Sequence, residues 1–190
     1  MALLVALGVT SAALVASAPS PREAAAFEAK WNGVLARGAQ PPSGVRTDFA
    51  ANEVNAYLQL RLAPSFPTGV ADPSVTLGSQ GRLTGRAIVD LDGLRKKSTG
   101  GWFDPAAYLS GKLPVTAVAT LKTASGRGQL LIEAADVSGI PVPKSLLQEL
   151  VTFYTRSSDL PNGVNLDAPF DLPSGIQRID VETGRATVVQ

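Results

Sequence analysis

Few residues in this sequence have the types and spacing that chemistry requires. Tyr108-Leu109-Ser110-Gly111-Lys112 has the Tyr-x-x-x-Lys spacing at which a lysine lowers a tyrosine pKa for hydride transfer with a dinucleotide. That reaction needs a strand, a Gly-x-Gly-x-x-Gly turn and a helix to hold the pyrophosphate, and no such unit precedes Tyr108. Gly126-Arg127-Gly128 lacks the third glycine and lies in a turn between two alternating segments. Asp90 and Asp92 fall on one face of a strand, where they would suit a calcium site or a hydrolytic carboxylate pair. A solvated strand face accounts for them more simply. No Gly-x-Ser-x-Gly elbow is present to carry a serine nucleophile.

Composition narrows the field further. The chain of 190 residues has no histidine and no cysteine. Disulfides, thiolate metal sites, a cysteine nucleophile and the Ser-His-Asp triad are thereby excluded, and so is the usual general base near neutral pH. Seventeen Lys and Arg against sixteen Asp and Glu leave a net charge of +1, which gives no electrostatic reason to expect nucleic acid as a partner. Hydrophobic residues make up 45%, enough for a core. No catalytic residue, metal or cofactor is expected, and the expected class is non-enzymatic. A hydrolase using Asp90 and Asp92 is the catalytic alternative.

The elements that would position any site follow from periodicity. Ser20-Pro21-Arg22-Glu23 has the form of a capping box with proline in the first turn, and Phe27, Trp31, Val34 and Leu35 then share a helical face up to Gly38. Gln40 to Gly44 is a break, and Val45 to Phe49 reads as a short strand. A second helix is expected from Ala50 to Leu62, ended by Pro64 and Pro67. From Pro73 the period becomes two. Ser74–Leu77 and Arg82–Asp92 form one hairpin, with Leu83, Gly85, Ala87, Val89 and Leu91 on the dry face. Val115–Lys122 and Leu130–Ala134 form a second, with Val115, Ala117, Ala119, Ile132 and Ala134 on the dry face. A helix follows Pro143, carrying Leu146, Leu147, Leu150, Val151 and Tyr154 on one side. Ile176–Glu182 and Arg185–Gln190 close the chain as a third hairpin. The expected class is α+β: a curved antiparallel sheet of hairpins packed against two or three amphipathic helices, one domain over 20–190.

Met1 to Ser17 is almost wholly apolar but short for a membrane span, and Ala16-Ser17-Ala18 offers a small-residue cleavage site. Residues 1–18 are therefore expected to be a signal peptide, or a membrane anchor if left uncut. No Lys or Arg precedes the run. A periplasmic or secreted address in a bacterium is the expectation.

Two regions invite a functional reading. On the dry face, glycine and alanine stand beside Leu83, Val89, Val115 and Ile132. Small side chains across neighbouring strands leave either a close helix approach or an open groove, and an apolar groove suits a lipid-like ligand. The lining candidates are Leu83, Ala87, Val89, Val115, Ala117, Ala119, Ile132, Leu147, Leu150 and Tyr154. The second region is a loop in which Arg95, Lys96 and Lys97 precede Gly100-Gly101 and then Trp102 and Phe103. Cations beside aromatic rings fit a transient contact with an anionic membrane surface.

One string carries a resemblance. Phe49-Ala50-Ala51-Asn52-Glu53-Val54-Asn55-Ala56-Tyr57-Leu58 resembles a helix of small exported bacterial proteins related to the tubular lipid-binding (TULIP-like) group. The order of hairpins and the later helix over 45–190 is similar too. The resemblance implies a long curved antiparallel sheet around a helix with apolar ligand in its groove. It implies at most a single lobe for a chain of this length, and carries no catalytic residue. Glu53 and Asn55 are expected to fix the helix start rather than bind ligand. The tail Leu172-Pro173-Ser174-Gly175-Ile176 is similar to tails of other small bacterial proteins and implies no activity. The leading expectation is an exported protein that binds or shuttles an apolar ligand. The alternative is an envelope scaffold or protein-interaction module whose core is filled.

Overall fold

The computed structural model describes residues 18–38, 44–66, 69–90, 111–156 and 161–190. Residues 1–17, which include most of the expected signal peptide, and residues 91–110 lie outside the described residues. The fold is α+β, with every strand pairing antiparallel.

Helix α1 (Pro21–Arg37) begins as its sequence dictates. Glu23 N–H donates to Ser20 Oγ, and Ser20 N–H donates back to the Glu23 carboxylate, a reciprocal cap with Pro21 at the first position. It ends at Gly38, whose φ of −59° is ordinary right-handed helix. Glycine is required there by proximity: a Cβ would lie 2.6 Å from the Cα of Ser174. Strand β1 (Arg46–Ala50) leads into α2 (Ala51–Tyr57), which runs on as a π-helical turn over Leu58–Leu62 and a 3₁₀ turn over Ala63–Ser65. Ala50 has no side-chain oxygen, so only the returning half of a capping box forms, with Ala50 N–H donating to Glu53 Oε2 at 2.9 Å.

The hairpins β2 (Val70–Leu77)–β3 (Arg82–Asp90) and β4 (Lys112–Ala124)–β5 (Arg127–Val137) join through β3 and β4 into one sheet. Short strands β6 (Ile140–Pro141) and β7 (Phe170–Asp171) both pair with β5. Helix α3 (Lys144–Thr155) follows and runs beside β5. The last hairpin, β8 (Arg178–Glu182)–β9 (Arg185–Val189), does not extend this sheet. It pairs with β1 instead, in the order β1-β9-β8.

The core lies on this small sheet. Val34 of α1, Phe49 of β1, Ile176 and Val188 of β9 are each at most 4% exposed, with Phe27, Trp31, Val54, Leu172 and Ile179 packed around them. Phe27 lies tilted against Phe49 at 4.8 Å and stacks on Tyr57 at 4.3 Å, centroid to centroid. Full burial of each such side chain contributes about 1.5–3 kcal/mol. A bidentate contact from Lys30 Nζ to the Glu53 carboxylate, at 2.7 and 2.6 Å, ties α1 to α2.

The two sheets are joined at one end of the large one. Gly126 N–H donates to Gln177 O, and Gly184 N–H to Leu77 O. Thr123 Oγ1 donates to Ile179 O and accepts from Ile179 N–H.

Candidate site: the apolar face of the large sheet

Strand register decides which of the expected lining residues meet. Leu83 stands opposite Ala119, and Ala119 opposite Ile132, forming one row across three strands. Ala87 stands opposite Val115, and Val89 opposite Leu113, in rows farther along the same face. Side chains on a strand alternate between faces, so Leu83, Ala87, Val89, Val115, Ala117, Ala119 and Ile132 share one surface. Leu147 lies half-buried on α3 beside β5. The side chains of Leu150 and Tyr154 lie outside the described residues, as do Arg95, Lys96, Lys97, Trp102 and Phe103.

One assignment needs correcting. Strict alternation along β5 puts Ala134 on the dry face. The pairing slips between Val118 and Ala119: Ala119 opposes Ile132, whereas Val118 opposes Ala134 and Ala117 opposes Ala135. Glu133 is the extra residue of a β-bulge, which turns Glu133 and Ala134 to the same, wet side. Glu133 there accepts from Thr120 Oγ1 and pairs with Arg82 at 3.2 Å. Ala135 and Val137 take the dry positions. The register also adds Val75 and Leu77 of β2, opposite Gly85 and Leu83. Their alternation with Ser74 and Thr76 was the signal for them. The bulge had none.

The middle row is Val75, Gly85, Ala117 and Ala135, small side chains at three of its four positions. It crosses four strands, about 14 Å at about 4.8 Å per strand. A Cβ placed on Gly85 would meet only the Ala117 carbonyl oxygen, at 4.0 Å. Among the described residues nothing is packed onto that point. Leu77 and Ala119, both 5% exposed, are the buried apolar side chains among the described residues of this face. The remaining described members, Ala87, Val89, Val115 and Ile132 among them, are half-buried. Among the described residues the face thus has the outline of a shallow trough, floored by Gly85, Ala117 and Ala135 with Val75 at one end. Leu83 and Ile132 bound it on one side, and Val115 and Val89 on the other.

The strand beside the trough is held from outside. Asn55 of α2 places its carboxamide against the edge of β2: Val75 N–H donates to Oδ1 at 2.7 Å and Nδ2 donates to Val75 O at 2.8 Å. Glu53 bonds the helix start through Ala50 N–H, and Asn55 bonds it too, Nδ2 donating to Ala51 O at 2.8 Å. Asn55 in addition supplies the β2 edge with the two bonds a neighbouring strand would make.

A separate open cleft of about 440 Å³ lies where the sheets meet, bordered by Gln80, Gly81, Leu121, Thr123, Ile179 and Val181. None of the ten expected lining residues borders it. Leu121 belongs to both surfaces, because it follows Ala119 by two positions on β4. The acidic groups beside the cleft are engaged: Asp180 with Arg178 and Arg46, and Glu182 with Arg185.

Among the described residues no cluster of three or more His, Cys, Asp or Glu side chains could hold a metal ion. Asp90 ends β3, while Asp92 and Tyr108 lie outside the described residues. No described helix is long and apolar enough to cross a membrane. Comparison with protein-family models, with curated proteins and with solved structures gives no match to this chain.

Proposed function

We propose that this is a non-enzymatic protein that binds or shuttles a lipid-like, apolar ligand along the dry face of its large sheet. The observation that carries this reading is that, among the described residues, only the Ala117 carbonyl oxygen comes within 4.0 Å of a Cβ placed on Gly85, in the row Val75–Gly85–Ala117–Ala135. In a sheet face destined for a packed core, a small side chain is matched by a large one reaching in from the facing layer. Here the floor is small, the rims are branched, and no described side chain fills the centre. Among the described residues no charged group lies at the middle of this surface, which favours hydrocarbon over a headgroup.

The sequence of the N-terminal segment supports export to the periplasm or beyond, where such a carrier meets membranes. Arg95, Lys96 and Lys97 with Trp102 and Phe103 fit a transient touch on an anionic bilayer, contributing about 3 kcal/mol from the three cations. That is enough for collection or delivery and too little for an anchor.

Native mass spectrometry of the chain purified from a bacterial envelope fraction, with solvent extraction of the same sample, tests the reading. A bound apolar species that solvent removes, and that Ala117→Trp reduces, supports it. A clean apo mass together with loss of stability in Ala117→Trp would mean that the face is a packed core.

A further inference from the structure

We propose that β1 is a self-complementary docking edge, through which two copies of this chain pair antiparallel about a two-fold axis at Thr47. The bonds around β1 fix which backbone groups face outward. Gln190 N–H donates to Val45 O at 3.0 Å, and Ala51 N–H to Gly184 O at 2.9 Å. Residues 45, 47, 49 and 51 therefore turn their backbone groups toward β9 and its flanks. Arg46 and Asp48 turn theirs the other way, and among the described residues no hydrogen bond reaches those groups.

The other edges nearby are stopped. Asn55 occupies both backbone groups of Val75 on β2, and Gly184 N–H takes Leu77 O. Thr123 occupies both groups of Ile179 on β8, and Gly126 N–H takes Gln177 O. On β1 only the Ala50 N–H is taken, by Glu53. An edge left with paired donors and acceptors is a template for another strand.

Charge chooses the strand and its register. Arg46 and Asp48 project from the solvent-facing side of the small sheet, their side chains 58% and 56% exposed. Pairing about Thr47 sets Arg46 of each copy opposite Asp48 of the other, in hydrogen-bonded positions, so four main-chain bonds and two opposite-charge pairs form at once. Sliding by two residues either way sets Arg46 against Arg46 or Asp48 against Asp48, which is unfavourable. The same patch meets itself, as a closed two-fold interface requires. Present contacts leave room for it: Arg46 reaches Asp180 at 3.5 Å and Arg185 reaches Asp48 at 3.9 Å, both exposed pairs, and Thr187 Oγ1 donates to Asp48 Oδ1 at 2.6 Å, which leaves Oδ2 for the incoming arginine.

Sedimentation equilibrium of the full chain, up to about 1 mM because a single strand pair is a small interface, tests this. The expected result is a monomer–dimer equilibrium. Arg46→Glu should weaken it about tenfold by opposing like charges twice. Arg46→Glu with Asp48→Arg should restore it. Arg46→Pro removes only an outward N–H, a change that edge strands tolerate, and should leave a folded monomer. A monomer at every concentration, or a dimer that Arg46→Pro leaves intact, would overturn the proposal. Failure of the folded charge-swapped variant to regain the dimer would overturn the register.

Discussion

The two sheets handle the same kind of alternating sequence in opposite ways. On the small sheet, Phe49 and Val188 meet α1 through Val34 and Trp31 and are at most 4% exposed, with Ile179 half-buried beside them. On the large sheet, Leu83, Ala87, Val89, Val115 and Ile132 have equal apolar character yet remain half-buried. Hydropathy alone does not separate these cases. The difference lies in side-chain size and in what the facing layer delivers. Aromatic rings from α1 and α2 gather at the small sheet, whereas the middle row of the large one is Val75, Gly85, Ala117 and Ala135, and no described side chain lies over Gly85. Among the described residues, the small sheet carries the buried aromatic cluster, while most of the apolar face of the large sheet stays half-buried.

Substitutions can break or sharpen that contrast. The largest effect is expected at Phe49→Ala, which empties the aromatic cluster and should cost about 3–5 kcal/mol in chemical denaturation. Val89→Ala, on the half-buried face, should cost about 1 kcal/mol or less. Equal losses at the two sites would erase the distinction. Next comes Asn55→Leu, which strips two bonds from Val75 at the β2 edge. A loss of about 1–3 kcal/mol is expected in the same assay, with faster amide exchange along β2.

The glycines give a finer comparison. Gly85→Val adds a β-branched side chain where a Cβ finds only one atom, 4.0 Å away, and should stabilise by about 0.5–1 kcal/mol. Gly38→Ala should destabilise, because its Cβ would lie 2.6 Å from Ser174. Thermal melts that put both changes in the same direction would contradict the open trough.

The smallest effect concerns Glu23. A hydrogen bond from Asn52, then bonds with Ser20, hold its carboxyl below the ordinary carboxylate range, against a raising effect of desolvation. A depressed folded-state pKa adds stability above the unfolded value, near about 4.3, which is lost as pH falls through the folded value. Glu23→Gln should therefore flatten the acid limb of the stability–pH curve and leave the small-sheet core intact. An unchanged acid limb would remove Glu23 from the account.

Much of the fold was legible in the residues. Ser20, Pro21 and Glu23 announce the start of α1, and the period-two runs announce four of the long strands. The pairing of β1 with β9 was not legible, because it joins segments from opposite ends of the chain, and local periodicity carries no information about partners. The bulge at Glu133 was equally hidden: Ile132-Glu133-Ala134 reads as perfect alternation, and only the cross-strand register reveals the extra residue. Seven of the ten expected lining residues fall on one face because alternation is reliable within a strand. The role of Asn55 escaped notice because its partner, Val75, lies in another element twenty residues away.

The most direct test pairs stability and occupancy in one variant, Ala117→Trp, measured by denaturant unfolding and by native mass spectrometry with lipid extraction. The indole would enter the trough over Gly85. The account predicts unfolding free energy within about 1 kcal/mol of the parent chain and loss of the bound apolar species. A drop of about 3 kcal/mol or more, with no ligand on the parent chain, would contradict it and make the large sheet a second packed core.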